Sequence, residues 1–245
     1  MKKIAVITGA SSGMGRRFAE TVKEWGSFDE VWAIARRADR LEELKASVPF
    51  PVKGISLDLT DRASFAAYAA LLQEEKPQVA LLINASGFGK FSAAMDVPLE
   101  VNLNMVDLNC MALMAMCQMT VPYMSEGGRI INIASMYGLV GNMIVGSAPY
   151  HAAKGGVVNL TRALAAEWGK HGITVNSICP GYFYTDLTTE TLDSDFFQAI
   201  AKRSIPIERY GKSGELDTCA LFLASPASTY VNGQNIAVDG GYTCV

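Results

Sequence analysis

Three polar residues have the types and the spacing needed for acid–base chemistry on a carbonyl group. Tyr150 and Lys154 are four residues apart in the segment 150–169, whose pattern predicts a helix, so both side chains project from one face. A phenol with its ordinary pKa of about 10 is a poor acid–base catalyst near neutrality, and a neighbouring ammonium group lowers that pKa. Ser135 comes fifteen residues before Tyr150, and its hydroxyl could stabilise a developing oxyanion. The set predicts a site in which Tyr150 is the general acid of ketone reduction and the general base of alcohol oxidation.

Ser147 is the alternative to Ser135 for the hydroxyl role, because it lies closer to Tyr150 in the sequence. Ser135, however, follows the predicted strand 129–133. Open α/β sheets bind their ligands at the carboxyl ends of the strands. We therefore prefer Ser135.

A glycine-rich turn near the start of the chain has the properties of a phosphate site. It joins the predicted strand 4–7 to the predicted helix 13–24 and reads T-G-A-S-S-G-M-G from residue 8. Glycine permits a tight turn and a close approach of the backbone to a ligand, and the amide groups at a helix N-terminus bind pyrophosphate. A tight turn without a ligand is the alternative. The residues predicted to hold the pyrophosphate of a dinucleotide are Gly9, Ser11, Ser12, Gly13, Met14 and Gly15.

The end of the second predicted strand, 31–35, indicates which dinucleotide would bind. An acidic residue at this point accepts a hydrogen bond from the ribose 2′-hydroxyl of NAD, but here Arg36 and Arg37 follow Ala35. The guanidinium group binds phosphate through two parallel hydrogen bonds. The sequence therefore predicts NADP(H) in preference to NAD(H), with Arg36 and Arg37 at the 2′-phosphate. Solvated surface charges are the alternative interpretation.

Predicted strands alternate with predicted helices throughout the chain. Further apolar runs predict strands over 51–57, 79–83, 174–178 and 234–238. Helical periodicity covers 39–47, 61–75, 106–124 and 214–224. Repeated βαβ units with right-handed crossovers build a parallel sheet with helices on both faces. We predict an α/β chain with a single Rossmann-like, doubly wound domain over residues 1–245.

Composition excludes several other classes of protein. The 245 residues are 50% hydrophobic and carry a net charge of −3, which argues against disorder and against nucleic-acid binding. The two histidines, His151 and His171, exclude a three-histidine metal site within one chain, and we expect no metal. The longest apolar run, 110–117, is too short for a membrane span. Five cysteines without a C-x-x-C pair fit a reducing compartment, so we expect a cytoplasmic protein that binds neither membrane nor nucleic acid.

Taken together, these motifs resemble the classical short-chain dehydrogenases/reductases. The glycine pattern T-G-x-x-x-G-x-G, the Tyr150–Lys154 pair and Ser135 occur in family order, and the resemblance extends over essentially the whole chain. It implies that Asn109 is a fourth catalytic residue, holding a water molecule that joins Lys154 to solvent. It also implies that Tyr150 and Lys154 contact the bound nicotinamide nucleotide, with Lys154 on its ribose. For Asn109 alone, a polar residue that bends its helix is the alternative.

Further cofactor contacts are implied by the same resemblance. Asp58, followed by Leu59, matches the residue that receives the adenine amino group, although it could instead cap the helix predicted from residue 61. Asn84, Ala85, Ser86 and Gly87 stand where the family usually has Asn-Asn-Ala-Gly. The central two residues depart from that form, which weakens the expected hydrogen bonding to the sheet but not the close approach at Gly87. The family's P-G-x-x-x-T loop, which covers the nicotinamide, is matched by Pro180, Gly181, Phe183 and Thr185.

The resemblance leaves the substrate open. It implies a lid segment over about 182–210 and a homotetramer that packs through the helices containing Asn109 and Tyr150. The segment 141–149 is longer than in many members, so the pocket wall beside it is expected to differ. The chain end resembles enzymes of sugar acids and polyols, whereas the aromatic residues of the lid segment would suit a hydroxysteroid. A 3-oxoacyl thioester reductase and a non-catalytic NADP(H)-binding regulator are the alternatives.

Overall fold

The computed structural model describes residues 1–144, 146–185 and 188–245. One seven-stranded parallel sheet runs through this part of the chain in the order β3-β2-β1-β4-β5-β6-β7. The strands are β1 (Lys3–Thr8), β2 (Glu30–Ala35), β3 (Val52–Ser56), β4 (Gln78–Asn84), β5 (Met124–Ile133), β6 (Thr174–Pro180) and β7 (Asn235–Val238). The order reverses between β1 and β4, which is where doubly wound sheets open a crevice for a ligand.

Helices cover both faces of the sheet, so the prediction of a doubly wound α/β fold is confirmed. They are α1 (Gly13–Thr21), α2 (Ala38–Ser47), α3 (Ser64–Glu75), α4 (Leu99–Val106), α5 (Ala112–Thr120), α6 (Ala148–Trp168), α7 (Thr189–Leu192), α8 (Asp195–Ser204) and α9 (Asp217–Ala224). No helix within the described ranges combines the length and the apolar character that a membrane crossing requires.

Two apolar cores lie on opposite faces of the sheet. Successive side chains of a strand point to opposite faces, and β1 shows this directly. Ile4 and Val6 pack into the core beneath α3, α5 and α6, whereas Ala5 and Ile7 pack into the core beneath α1, α2 and α9. Because both faces are buried, β1 is apolar at consecutive positions rather than at alternate ones.

The helix predicted over 106–124 has different bounds in the structure. It begins after Pro98 with α4, continues through a π-helical turn over Asp107–Met111, and ends with α5 at Thr120. The first turns carry polar residues and are half exposed, so the apolar pattern identified only the later, buried part. Pro122 lies in the 3-10 turn Val121–Tyr123 that follows, and a proline does not continue an α-helix.

Candidate active site

Strand β5 and helix α6 bring the predicted reacting residues together. Ser135 follows the end of β5, and Tyr150 and Lys154 lie in the first turns of α6, which begins with Pro149 near its N-terminus. The Lys154 ammonium is buried and donates a hydrogen bond to the carbonyl oxygen of Ile133 at 2.8 Å. Lys154 Nζ also lies 5.7 Å from the centre of the Tyr150 ring. The lysine thus fixes the start of α6 against the carboxyl end of β5.

Burial shifts the pKa values of both Tyr150 and Lys154. Desolvation raises the pKa of Tyr150 to about 12, and a hydrogen bond with Ser135 opposes that rise. Desolvation also lowers the pKa of Lys154 to about 8. The sequence led us to expect a phenol pKa below its ordinary value. In this chain the pKa is higher, because the loss of solvent around the phenol outweighs the stabilisation of the phenolate by its neighbours.

The two candidate serines have different partners. Ser135 Oγ accepts a hydrogen bond from the backbone N–H of Tyr137 at 3.2 Å, which leaves the hydroxyl proton to be donated. Ser147 Oγ instead contacts Nδ1 of His151 at 3.1 Å. The structure therefore places Ser135 beside the Tyr150 phenol and gives Ser147 a partner within the first turn of α6.

Asn109 lies in the π-helical turn and is fully buried. Its Nδ2 group donates to the carbonyl oxygens of Phe88 at 2.8 Å and Met105 at 2.9 Å. Its Oδ1 atom is buried and has no hydrogen-bond partner among the described residues. A buried polar atom of this kind is usually satisfied by a water molecule or a ligand, and π-helical turns are frequent at functional sites. Asn109 therefore lies where the helix widens into a π-helical turn, and its Oδ1 atom offers a hydrogen-bond acceptor inside the site.

Gly87 brings the turn after β4 against this acceptor. A Cβ atom at Gly87 would lie 2.4 Å from Asn109 Oδ1 and 3.5 Å from Lys154 Nζ. The close backbone approach expected at Gly87 is therefore present. Ala85 and Ser86 depart from the family pattern in their side chains, but their backbone N–H groups donate to Thr8 Oγ1 at 3.1 and 3.2 Å.

Asn84 holds the same turn to the sheet through its side chain. Its Nδ2 donates to Asn132 Oδ1 at 3.0 Å, in register across β4 and β5. Asn132 in turn donates to Thr161 of α6 at 3.1 Å. Thr8 and Asn132 were not among the predicted site residues. Thr8 could have been indicated by its place directly before Gly9. Asn132 could have been indicated by its pairing with Asn84 in the sheet register.

The glycine-rich turn packs tightly between β1 and α1. Gly9 has a φ of +71°, and a Cβ atom there would lie 2.7 Å from the carbonyl oxygen of Ala85. A Cβ atom at Gly15 would lie 2.5 Å from the carbonyl oxygen of Gly9. A larger residue at Gly9 would collide with the turn after β4, and one at Gly15 would push α1 away from the glycine-rich turn. Within the described structure no side-chain hydrogen bond from Ser12 caps α1, so this N-terminus matches the arrangement that binds a phosphate.

The two arginines predicted at the 2′-phosphate are placed differently. Arg37 Nη2 lies 3.0 Å from Ser11 Oγ, so its guanidinium group reaches the glycine-rich turn. Arg36 is exposed, and its charge contributes to the electrostatics of Asp58. Partial burial raises the pKa of Asp58, but hydrogen bonds from Thr60 and the charge of Arg36 outweigh it and hold that pKa below its ordinary value.

Asp58 closes a short turn rather than capping a helix. Its Oδ1 accepts from the backbone N–H of Thr60 at 2.9 Å and from the Thr60 hydroxyl at 2.8 Å. Helix α3 begins later, at Ser64. Leu59, which follows Asp58, is buried in the core beneath α3, α5 and α6. The turn leaves Asp58 at the carboxyl end of β3, near the same edge of the sheet as the glycine-rich turn.

The residues after β6 close the other side of the crevice. Pro180 ends β6, and the N–H of Gly181 donates to the carbonyl oxygen of Val238 at 3.0 Å. Phe183 pairs with Gly211 and packs into the core beneath α1, α2 and α9. Thr185 lies next to Gly13, with methyl and Cβ atoms at 3.8 and 3.9 Å from where a Gly13 Cβ would be.

Thr188 is a residue that the sequence motifs did not indicate. Its hydroxyl accepts from the backbone N–H of Thr185 at 2.9 Å and also lies 2.9 Å from the Thr185 hydroxyl. A cavity of about 380 Å³ adjoins these residues, and Gly13, Met14, Tyr184 and Thr185 contribute to its lining. Thr188 therefore orients the threonine that faces the N-terminus of α1.

The chain matches one family model, described as enoyl-(acyl carrier protein) reductase, over residues 9–243. It is 33% identical to gluconate 5-dehydrogenase of Gluconobacter oxydans over 98% of this chain and 94% of the relative. Its identity to 2-dehydro-3-deoxy-D-gluconate 5-dehydrogenase of Dickeya dadantii is 36% over 98% and 95% of the two chains. The 3-oxoacyl-[acyl-carrier-protein] reductase of Vibrio harveyi is 31% identical over 98% and 96%.

Solved structures agree in fold. A short-chain type dehydrogenase/reductase from Mycobacterium marinum superposes with a TM-score of 0.89 at 33% identity, covering 99% and 96% of the two chains. A 4-hydroxyisoleucine dehydrogenase complexed with NADH gives 0.90 at 28% over 99% of each chain. An actinorhodin polyketide ketoreductase variant with NADPH gives 0.86 at 28%, over 100% and 98%. Both reduced nicotinamide nucleotides thus occur among the structural neighbours.

Proposed function

The chain belongs to the short-chain dehydrogenase/reductase family, and we propose that it interconverts a ketone and a secondary alcohol with NADP(H). One observation carries this proposal, namely the convergence of the Ser135 hydroxyl, the Tyr150 phenol and the Lys154 ammonium beside the Gly87 turn. The catalytic residues in the proposal are these three and Asn109.

In this reaction the bound nucleotide supplies or receives the hydride. Ser135, whose oxygen is held by the Tyr137 amide, donates a hydrogen bond to the substrate oxygen, keeps its own proton and stabilises the charge that develops there. Tyr150 gives its proton to that oxygen during reduction and takes it back during oxidation. Lys154 binds the ribose and stabilises the phenolate form of Tyr150. The unpaired Oδ1 of Asn109 accepts from a water molecule that relays protons between Lys154 and solvent.

The proposed nucleotide site runs along the carboxyl ends of the strands from β3 to β6. The fit rests on the glycine-rich turn, where a Cβ atom would overlap backbone oxygens, and on the open N-terminus of α1. Its contacts are the glycine-rich turn, Asp58, Leu59, the turn 84–87 and the residues Pro180, Gly181, Phe183 and Thr185. In our proposal Arg36 and Arg37 hold the 2′-phosphate, which makes NADP(H) the preferred nucleotide.

Arg36→Asp tests that preference. We expect the Kd for NADPH to rise at least tenfold, since a charge-assisted contact is lost and a repelling carboxylate is introduced. The Kd for NADH should change little. Lys170→Asp makes the same change of charge at an exposed position in the turn after α6 and is the matched control. Equal weakening of both nucleotides would remove Arg36 from the phosphate site.

We propose a sugar acid or a polyol as the substrate. The relatives that act on gluconate and on 2-dehydro-3-deoxy-D-gluconate support this class. A 3-oxoacyl thioester is the second candidate. It is favoured by the carrier-protein reductase relatives and by the exposed Lys202 and Arg203 at the end of α8. The rates of NADPH and NADH oxidation should be measured with 5-keto sugar acids, acyl thioesters and steroid ketones as substrates and compared. Turnover confined to one class identifies the substrate and excludes the others.

Tyr150→Phe separates an enzyme from a binding regulator. The variant keeps the ring and loses the proton-transferring hydroxyl, so we expect turnover to fall by at least a thousandfold while NADPH binding, followed by nucleotide fluorescence, is retained. A protein whose activity is unaffected by this substitution does not use Tyr150 as its acid–base group. Loss of nucleotide binding together with folding would show a structural role instead.

We further propose a cytoplasmic homotetramer. Apolar side chains are exposed along α4 and the π-helical turn, namely Leu99, Leu103 and Met111, and the five cysteines are free thiols. Light scattering should give a mass four times that of the 26.3 kDa chain. Leu103→Asp should lower that mass, because it places a charge in the proposed contact. A wild-type protein that is monomeric at micromolar concentration would contradict this proposal.

A further inference from the structure

Three of the contacts that Tyr137 makes around the candidate active site connect it to other parts of the fold, and the first is through its backbone. Its N–H donates to Ser135 Oγ at 3.2 Å, and this bond caps the 3-10 turn Met136–Gly138. The position of the Ser135 oxygen therefore depends on where Tyr137 is held. The Tyr137 side chain is itself buried.

The second contact is with the residue that follows Tyr150. The Tyr137 ring stacks on the His151 ring with a centroid separation of 4.6 Å and an interplanar angle of 28°. His151 is fixed in turn by Ser147, whose carbonyl oxygen lies 2.9 Å from Nδ1. The Ser147 hydroxyl lies 3.1 Å from the same nitrogen. Tyr137 thus packs against an imidazole whose orientation is set by the first turn of α6.

The third contact is with the lid segment. The Tyr137 hydroxyl is hydrogen bonded to the hydroxyl of Tyr182. Tyr182 lies at the centre of an aromatic cluster that also includes Phe197, Tyr210 and Tyr242, at centroid distances of 6.2, 5.6 and 6.3 Å. Phe197 belongs to α8, so a displacement of α8 would change the packing of the Tyr182 ring.

We propose that Tyr137 is a positioning residue that transmits the docking of the lid segment to Ser135 and Tyr150. The proposal rests on the proposed function for its kinetic consequences, and the lid segment is taken here as its described residues, 182–185 and 188–210. Packing of the lid segment holds Tyr182 in place, and Tyr182 in turn holds the Tyr137 hydroxyl. The backbone amide of Tyr137 then fixes the Ser135 oxygen. The stacked His151 ring gives a second connection, to the turn of α6 that carries Tyr150.

Tyr137→Phe and Tyr182→Phe test this from the two ends of one hydrogen bond. Each variant keeps its ring and removes one hydroxyl. A hydrogen bond contributes about 0.5–1.5 kcal/mol, so we expect kcat/KM for the carbonyl substrate to fall about twofold to tenfold in each. Tyr137→Phe also removes the hydrogen bond of Tyr137 with Tyr242. The double variant should therefore be no worse than Tyr137→Phe alone, because that substitution already removes the bond between Tyr137 and Tyr182. Independent, additive losses would overturn the proposal.

The pH profile of alcohol oxidation distinguishes positioning from simple loss of packing. The hydrogen bond with Ser135 lowers the pKa of Tyr150. If Ser135 is less well held, that pKa rises, and the rising limb of the profile, where the phenol loses its proton to become the base, moves to higher pH in both variants. Tyr230→Phe, at a fully exposed tyrosine outside the site, should leave the profile and kcat/KM unchanged. An unchanged profile in Tyr137→Phe and Tyr182→Phe would overturn the positioning role.

Amide hydrogen exchange provides a measurement that does not depend on turnover. In Tyr182→Phe, exchange should become faster at residues 136–138, whereas Tyr137→Phe should speed exchange within α8. Melting temperatures verify that all variants are folded. If the wild type turns over no carbonyl substrate, the proposed function fails while the exchange result still decides the role of Tyr137. Amide hydrogen exchange that becomes faster only around the substituted residue would overturn the positioning role of Tyr137.

Discussion

Replacing Lys154 by methionine should change how the stability of the protein depends on pH. Burial lowers the pKa of Lys154 from 10.5 to about 8. Between these values the unfolded chain binds a proton at Lys154 that the folded chain has released. Stability therefore rises with pH wherever the unfolded state binds more protons. The buried ammonium thus destabilises the fold below pH 8, and this cost disappears as the pH rises to 10.5.

The size of the effect follows from the two pKa values. Each pH unit corresponds to about 1.4 kcal/mol, so the burial of this charge costs about 3 kcal/mol near neutral pH. Lys154→Met removes the charge but also the hydrogen bond to Ile133, which offsets part of the gain at pH 7. The change of relative stability with pH does not contain this offset, because the lost hydrogen bond shifts the stability of the variant by the same amount at every pH. The stability of the variant relative to wild type should fall by about 1 kcal/mol per pH unit between pH 8 and 10.

Urea unfolding of both proteins at pH 7.5, 8.5, 9.5 and 10.5 measures this slope. The other titrating groups, including Tyr150, are common to both proteins and largely cancel in the difference. Cys110 and Cys179 are the exceptions, because burial raises their pKa values and the charge of Lys154 opposes that rise. Lys170→Met, at an exposed lysine in the turn after α6, should show no such slope relative to wild type. A Lys154→Met variant whose relative stability is the same at all four pH values would refute the idea that burial of the ammonium is costly.

Two further predictions concern packing around the site. Gly87→Ala should lower the unfolding free energy by about 1–3 kcal/mol and reduce kcat, because the new Cβ would overlap Asn109 Oδ1. Gly155→Ala on α6, whose Cβ would meet only the Gly138 carbonyl oxygen at an ordinary contact distance of 3.9 Å, should instead stabilise by up to about 1 kcal/mol, and equal urea midpoints for the two variants would contradict this. Thr188→Val should raise the KM for NADPH a few-fold by releasing the Thr185 hydroxyl, with little change in melting temperature, and an unchanged KM would show that Thr185 needs no such support.

The sequence was sufficient to predict the residues that lie at the carboxyl ends of strands. A buried parallel strand is a short apolar run, so its end is visible as the first glycine or polar residue. Gly9 after β1, Asn84 at the end of β4 and Ser135 after β5 were found in this way. The start of α4 was missed because its first turns are half exposed and carry Glu100, Asn102 and Asn104. Apolar periodicity reports burial, and it gives no signal where a helix begins on the surface.

The supporting residues could not be predicted from local pattern. Thr188 and Tyr137 act through hydrogen bonds to backbone or hydroxyl groups that the fold brings close. Tyr137 and Tyr182 are 45 residues apart in the chain, and nothing in either neighbourhood indicates the other. The raised pKa of Tyr150 was missed for a related reason. Spacing predicts that a cation is near the phenol, whereas the desolvation that raises the pKa of Tyr150 depends on everything packed around it.

The same desolvation connects stability with the proposed chemistry. A phenol with a pKa of about 12 holds its proton at neutral pH, which suits a donor to a ketone oxygen but not an acceptor from an alcohol. A lysine with a pKa of about 8 loses its proton in only a minority of molecules at that pH, so Lys154 is still mostly positively charged when a nucleotide binds. Because an added positive charge lowers the pKa of a nearby phenol, the oxidised nucleotide favours the base form of Tyr150 and the reduced nucleotide favours the acid form. In the proposed function, the protonation state of Tyr150 would then follow the redox state of the cofactor.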